Sequence, residues 1–158
     1  MSKPLMTTLA ASCALAIPAL AQSRPVTVSA TLKNYGGDGA YLAVYLTDAK
    51  GAYVRTLWVA GGKAKYYSNL SDWNRLSARD AKRLQGVTGA SVGQGRTLKV
   101  TADLADALID AGYEIRIDAA VEKMRDSPSE VRLPLSSANA GKPQAGRQYI
   151  QSVTFQLQ

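Results

Sequence analysis

Apolar and polar residues alternate with a period of two in much of this sequence, and this pattern restricts the fold more than any other feature. Val26, Val28, Ala30 and Leu32 are each separated by one polar residue. Side chains along a β-strand point alternately to the two faces of a sheet, so such a segment buries one face and exposes the other. The pattern therefore predicts that residues 26–32 form a half-buried strand.

Six further segments have the composition of short strands bounded by turn residues. They are residues 41–47, 53–59, 97–102, 113–124, 130–135 and 149–157. Residues 48–51 predict a hairpin connection, residues 126–129 a turn, and residues 136–146 a loop of small residues. About seven short strands in residues 22–158 predict a single all-β domain with an immunoglobulin-like β-sandwich fold, and a small barrel is the alternative.

Acidic residues in one of these segments follow the same alternation. Glu114, Asp118 and Glu122 lie at even positions, whereas Ile115 and Ile117 lie at odd ones. Alternate positions of a strand share a face, so the three carboxylates are predicted to lie together on a face that is exposed to solvent.

One stretch, residues 69–84, departs from the period of two, because its apolar residues recur at the spacing of a helix. Gly86 follows it as a stop signal. Residues 86–95 contain four glycines and are predicted to be irregular. We therefore expect one short helix inserted between strands. Its apolar positions are Leu70, Trp73, Leu76 and Leu84.

The first 21 residues have the three parts of a secretory signal peptide. Lys3 supplies a positive charge, residues 5–20 are mostly apolar, and a small-x-small cleavage pattern ends at Ala21. A transmembrane anchor is the weaker interpretation, because polar residues interrupt the stretch and a span needs roughly 20 consecutive apolar residues. We expect export and cleavage after Ala21, which leaves residues 22–158 as the mature protein.

The composition excludes several kinds of chemistry. The only cysteine, Cys13, lies inside the predicted leader, and the chain has no histidine. The mature protein therefore lacks thiol nucleophiles, disulfides and the usual ligands of zinc, copper and iron–sulfur clusters, and Ser–His hydrolysis is excluded. Any redox chemistry would depend on an organic cofactor. The net charge of +7 comes from dispersed basic residues, which favours a cationic soluble surface and no nucleic-acid partner.

Residues 87–91 are the segment best suited to carry chemistry. Thr88 and Ser91 place two hydroxyls three residues apart, and nothing between them is larger than alanine. A glycine-containing loop lets a bulky partner approach the backbone and offers amide groups to an anion. Four aromatic residues are close enough in sequence to supply an aromatic face, namely Trp58, Tyr66, Tyr67 and Trp73. Nearby basic residues favour a phosphate group. Those basic residues are Arg79, Lys82, Arg83 and Arg96. From composition alone, an ordinary turn with surface hydroxyls is the simpler interpretation.

Four motifs stand in a fixed order before this segment. They are Gly39-Ala40-Tyr41-Leu42-Ala43-Val44-Tyr45, Val54-Arg55-Thr56-Leu57, Gly62-Lys63-Ala64-Lys65-Tyr66 and Leu70-Ser71-Asp72-Trp73. From about residue 39 to residue 122, the order resembles the bacterial periplasmic family called domain of unknown function 2271. Members of that family have a strand like YLAVW, a D-x-x-G turn, a V-x-T-L strand, a lysine-bearing loop, a D-W-W helix and then D-G-V-[ST]-G-A-[ST]. Asn74 stands where the family has its second tryptophan.

The last of these motifs is also similar to the sequence D-x-x-[ST]-G-A-[ST], which flavin transferases of the ApbE type recognise. Such an enzyme takes FMN from FAD and links its phosphate to the final hydroxyl. The resemblance implies that Ser91 is the acceptor, that residues 88–90 are the recognition core, and that Gln85 stands at the aspartate position. The predicted cofactor-binding residues are therefore Trp73, Gln85, Thr88, Gly89, Ala90 and Ser91.

These resemblances imply a periplasmic redox carrier with FMN attached covalently to Ser91. Its implied partners are a flavin transferase and a membrane flavoprotein of the PepSY type, because the family is often found beside such proteins and beside iron-uptake genes. The alternative is a non-redox binding module, in which the glycine-rich loop and the basic helix recognise a periplasmic ligand or protein. A carrier or a binding protein is favoured over an enzyme, because the chain offers no set of nucleophile and base.

Overall fold

A computed structural model of the protein describes residues 22–158, so the predicted signal peptide and its cleavage site after Ala21 lie outside the described residues. The strands are β1 (Ser23–Leu32), β2 (Tyr41–Thr47), β3 (Tyr53–Ala60), β4 (Thr88–Gly89), β5 (Thr97–Ala105), β6 (Glu114–Ala120), β7 (Ser127–Pro134) and β8 (Ile150–Leu157). One α-helix, α1 (Ser71–Leu76), follows a 3-10 helix over Ala64–Asn69, and a second 3-10 helix covers Asp106–Leu108.

The strands form two sheets. One has three strands in the order β5-β1-β8, and the other has five in the order β4-β3-β2-β6-β7. All neighbouring strands are antiparallel except β3 and β4, which are parallel. The main hydrophobic core contains residues from both sheets, including the alternating apolar residues of β1. This arrangement confirms the predicted all-β sandwich with one short helix.

Strand β2 lies at the centre of the five-stranded sheet, and all seven of its residues are buried. Its even-numbered residues, such as Leu42, pack in the core shared with the other sheet. Its odd-numbered residues, such as Tyr45, pack on the opposite side of the sheet against the segment that contains α1. A strand covered on both faces needs apolar residues at every position, which explains the unbroken run Tyr-Leu-Ala-Val-Tyr-Leu.

The helix is shorter than the predicted range of residues 69–84, because α1 ends at Leu76 and turns follow it. The Ser77 hydroxyl donates to the carbonyl oxygen of Trp73 at 2.6 Å, and the Asp80 carboxylate accepts from the Lys82 amide at 2.9 Å. Serine and aspartate side chains that bond to nearby backbone compete with helical hydrogen bonds, so they favour turns here. None of the helices in residues 22–158 is long and apolar enough to cross a membrane.

Two predictions about connections were wrong. Residues 126–129 were predicted to be a turn, but the chain reverses before them and β7 starts at Ser127. Ser129 adopts a φ of 44° within β7, and the pairing of β6 with β7 shifts register between Ile117 and Ala119. The strand is therefore bulged at residues that were taken for a turn. Residues 88–89, predicted to be irregular, form the short parallel strand β4.

Candidate functional site

The segment of residues 87–91 is fixed at both ends by backbone hydrogen bonds. At its start, the Val59 amide donates to the Val87 carbonyl at 2.7 Å, and the Gly61 amide donates to the Gly89 carbonyl at 2.8 Å. Just after its end, Val92 and Ala40 exchange two hydrogen bonds of 2.7 and 2.9 Å. Ser91 is therefore held between the edge of the five-stranded sheet and the entry to β2.

Two glycines allow close contacts around this segment. A Cβ atom on Gly89 would lie 2.6 Å from Cζ2 of Trp58, and one on Gly39 would lie 2.8 Å from the Ser91 hydroxyl oxygen. Atoms this close would clash, so only glycine lets the backbone approach Trp58 and Ser91 to this degree. The other side of the segment is open, because Thr88, Ala90 and Ser91 are exposed. The Ser91 hydroxyl is accessible on a backbone that is well anchored.

The remaining predicted site residues lie in different surroundings. Gln85 is exposed at the end of a turn, where its backbone N–H donates to the Lys82 carbonyl at 2.9 Å. Trp73 is fully buried, and its Nε1 donates to the Thr56 hydroxyl at 2.9 Å. Trp73 therefore presents no exposed face to a ligand, and the aromatic ring that contacts the segment is that of Trp58.

The four basic residues near the segment also differ in their availability. The Arg83 guanidinium lies 4.8 Å from the centre of the Trp73 ring and donates to the Asn74 carbonyl and the Ser77 hydroxyl. These contacts of the Arg83 guanidinium stabilise the turn that follows α1. Arg79, Lys82 and Arg96 are exposed, and Arg96 contacts Gly93, two residues beyond Ser91.

A group of tyrosines, here called the tyrosine cluster, adjoins the segment through Gly61. The cluster consists of Tyr41, Tyr66 and Tyr67, with ring centres 5.5 Å apart for the Tyr41–Tyr66 pair and 6.4 Å apart for the Tyr41–Tyr67 pair. The Tyr67 hydroxyl donates to the Gly61 carbonyl at 2.7 Å, and the Gly61 amide donates to Gly89. The cluster and the candidate segment are thus joined by a single residue, a link that sequence order did not reveal.

The prediction that Asp118 is exposed was wrong, because its side chain is fully buried beneath α1. Its carboxylate accepts hydrogen bonds from the amide of Trp73 at 2.7 Å, the amide of Ser129 at 2.8 Å and the hydroxyl of Tyr45 at 3.0 Å. The α-helix has no side-chain cap of its own at Leu70. Asp118 therefore supplies the missing acceptor to the first turn of the helix and fixes the helix to β6.

Burial raises the pKa of Asp118 above its ordinary value of 3.8, and the hydrogen bonds from Trp73, Ser129 and Tyr45 only partly oppose that effect. Between the ordinary value and the raised one, the unfolded chain has lost this proton and the folded protein retains it. Raising the pH through this window therefore reduces stability. We expect the free energy of unfolding of the wild-type protein to fall, relative to that of Asp118→Asn, as pH rises from about 4. Urea denaturation across a pH series measures this difference, and parallel pH profiles for the two proteins would contradict it.

A large cleft elsewhere on the protein does not adjoin the candidate segment. Its volume is about 880 Å³, and it lies between the first half of β7 and residues 144–148. Two carboxylates in its lining already have partners, since Glu130 accepts amide hydrogen bonds from residues 148–150 and Asp72 accepts from Ser129 and Arg75. The segment around Ser91 is the better candidate, because Ser91 is an exposed residue whose surroundings are built from close glycine contacts.

The fold and the site define a β-sandwich protein that presents an accessible serine on an anchored, glycine-containing edge segment. Residues 23–152 match the family described as predicted periplasmic protein, domain of unknown function 2271, and the chain belongs to this family. The description agrees with the export expected from the N-terminal sequence, whereas cleavage after Ala21 stays a prediction. No curated protein and no solved structure matches the chain significantly.

Proposed function

We propose that this protein is a periplasmic redox carrier that holds FMN through a phosphoester on Ser91. The observation that carries the proposal is the accessible Ser91 hydroxyl at the end of a segment that is anchored at both ends and bordered by small residues. An enzyme that modifies a side chain must surround its acceptor, and the exposed residues Thr88 and Ala90 leave room for that approach. Exposed Arg96 lies near enough in the chain to favour the charge of a phosphate.

The attachment reaction conserves all atoms. The Ser91 hydroxyl oxygen attacks the phosphorus on the FMN side of the FAD pyrophosphate, and a new P–O bond forms. The bond between this phosphorus and the bridging oxygen breaks, the oxygen leaves as part of AMP, and the hydroxyl proton passes to the leaving phosphate or to solvent. The attached flavin would supply reversible uptake and release of electrons, while the protein would supply attachment, orientation and electrostatic surroundings.

The decisive test is the mass of the exported mature protein after co-expression with a flavin transferase. We expect a gain equal to one FMN less one water, retained after denaturation. Ser91→Ala should abolish the gain, and Ser68→Ala, which removes an exposed serine outside the segment, should leave it complete. Ser91→Thr, which keeps a hydroxyl, is expected to retain modification. An unmodified wild-type mass under these conditions would overturn the proposal.

The electron partner follows from the same proposal. A PepSY-type membrane flavoprotein, acting beside iron uptake, would deliver electrons to the attached FMN. Reduction of the yellow carrier by membranes containing such a flavoprotein, followed by reoxidation with a ferric complex, tests this assignment by visible absorbance. Ser91→Ala protein serves as the blank.

The second candidate function is a non-redox periplasmic binding module. It is favoured by the cavity of about 880 Å³, whose volume is in the range of roughly 300–1,000 Å³ common for ligand sites and whose lining excludes residues 85–91. An unmodified mass together with normal folding would favour this function over the carrier.

A further inference from the structure

A groove at the end of the sandwich begins beside Ser91. Its wider part has a volume of about 550 Å³ and is lined by residues 36–38, Gln94 and residues 122–124. A narrower part of about 110 Å³ shares residues 122–124 and extends to the rings of Tyr41 and Tyr66. We call the two parts together the Met124 groove, after the residue that lines both.

The Met124 groove is continuous with the candidate segment on two sides. Its rim at residues 36–38 leads directly into Gly39, the residue in close contact with the Ser91 hydroxyl. Gln94, three residues after Ser91, lies beside this rim, because its side chain accepts a hydrogen bond of 2.8 Å from the Gly36 amide. The groove is therefore linked to Ser91 through Gly39 on one strand entry and through Gln94 along the chain.

The wider part of the groove is mostly polar around Met124, and the narrower part adds the rings of Tyr41 and Tyr66. Met124 is 37% exposed and is one of only two large hydrophobic residues so exposed in residues 22–158, the other being Val54. Methionine side chains adapt to flat surfaces and make favourable contacts with aromatic rings. The Tyr66 hydroxyl donates to the Glu122 carboxylate at 2.8 Å, which holds the ring in place at the inner end. The Gln94 amide and the charged groups of Asp38, Glu122 and Lys123 supply the polar edge.

We propose that the isoalloxazine ring of a flavin attached to Ser91 lies in the Met124 groove, in contact with Met124 and Tyr66. This inference rests on the proposed attachment of FMN to Ser91. A planar aromatic ring system with hydrogen-bonding groups along its edge matches a thioether and a tyrosine ring bordered by an amide, two carboxylates and an ammonium group. Docking of the ring would protect one of its faces from solvent and quench its fluorescence through the tyrosine.

The first test compares flavin fluorescence in intact flavinylated proteins. Met124→Ala and Tyr66→Leu are expected to raise the emission per attached flavin severalfold, and to reduce the visible circular dichroism of the flavin. Val54→Ala is the matched control. It removes the other exposed hydrophobic residue. Val54 lies on β3 six residues before Ala60, which pairs with Gly89, and six strand residues span roughly 20 Å, so the variant should change neither signal. Emission and dichroism unchanged in Met124→Ala and Tyr66→Leu would overturn the inference, while the attached mass would still support the carrier.

The second test uses Ser91→Ala protein, which has no acceptor, titrated with FMN to millimolar concentration. Amide chemical shifts of residues 36–38 and 122–124 are expected to move, and Met124→Ala should abolish the movement. If wild-type protein gains no FMN mass but these shifts appear, the covalent carrier proposal fails and the groove stands as a flavin-ring site. Absence of shifts in the groove would overturn the groove assignment whatever the mass shows.

Discussion

Replacing Asp118 with alanine is expected to lower the free energy of unfolding by about 3 kcal/mol or more. The substitution removes the acceptor of two backbone amides and one tyrosine hydroxyl, all three buried or partly buried beneath α1. Each buried donor left without a partner costs about 1–3 kcal/mol, which outweighs the relief of no longer burying a carboxylate. Urea denaturation followed by tryptophan fluorescence measures the change, because Trp73 lies in the affected cluster.

Two further variants make this expectation specific. Asp103→Ala removes an exposed carboxylate from β5 and is expected to change stability by less than about 0.5 kcal/mol. Asp118→Asn keeps one acceptor oxygen but turns an amide group toward a donor, so it should fall between wild type and Asp118→Ala. Equal stability of Asp118→Ala and Asp103→Ala would show that the helix does not depend on this carboxylate.

Most of the strands could be predicted from the sequence, but the packing of the α1 segment against the five-stranded sheet could not. Period two located β1, and an unbroken apolar run located β2 with its exact residues. The same rule misplaced Asp118, because alternation tells which side chains share a face and not whether another segment covers that face. Here α1 covers it. The sequence did contain one indication that Asp118 is buried, because apolar residues flank it, Ile117 on one side and an alanine pair on the other.

The candidate segment was found from local sequence, whereas its neighbours were found only in part. Small residues and hydroxyls within residues 87–91 are adjacent in the chain, so their pattern is visible directly. Trp58 was one of the four aromatic residues suggested for this segment, and its ring does lie against Gly89, whereas the contact of Gly39 with Ser91 was not predicted and depends on the fold. Nearness in sequence also suggested Trp73 as an aromatic face, although that ring is buried in the core.

The structure also explains how the edge segment is coupled to the interior. Strand β3 ends one residue before Gly61, whose amide continues the pairing with Gly89. The carbonyl of Gly61 accepts from Tyr67, and its Cα lies against the ring of Tyr41. Gly61 therefore links the tyrosine cluster to the segment that ends at Ser91, because its carbonyl and amide groups bond to one of them each.

Gly61→Ala is consequently expected to lower the free energy of unfolding by about 3 kcal/mol and to reduce modification of Ser91. Gly61 has a φ of 145°, which side chains rarely adopt, and a Cβ would lie 2.0 Å from Cδ1 of Tyr41. Backbone strain and overpacking each cost about 1–3 kcal/mol, and the buried Tyr41 ring is held by its contacts with Tyr66 and Tyr67. Gly62→Ala is the matched control, because a Cβ there meets nothing within 4 Å. Urea midpoints and the modified fraction by mass measure both effects. If the two alanine variants behave alike, Gly61 does not link the tyrosine cluster to the segment.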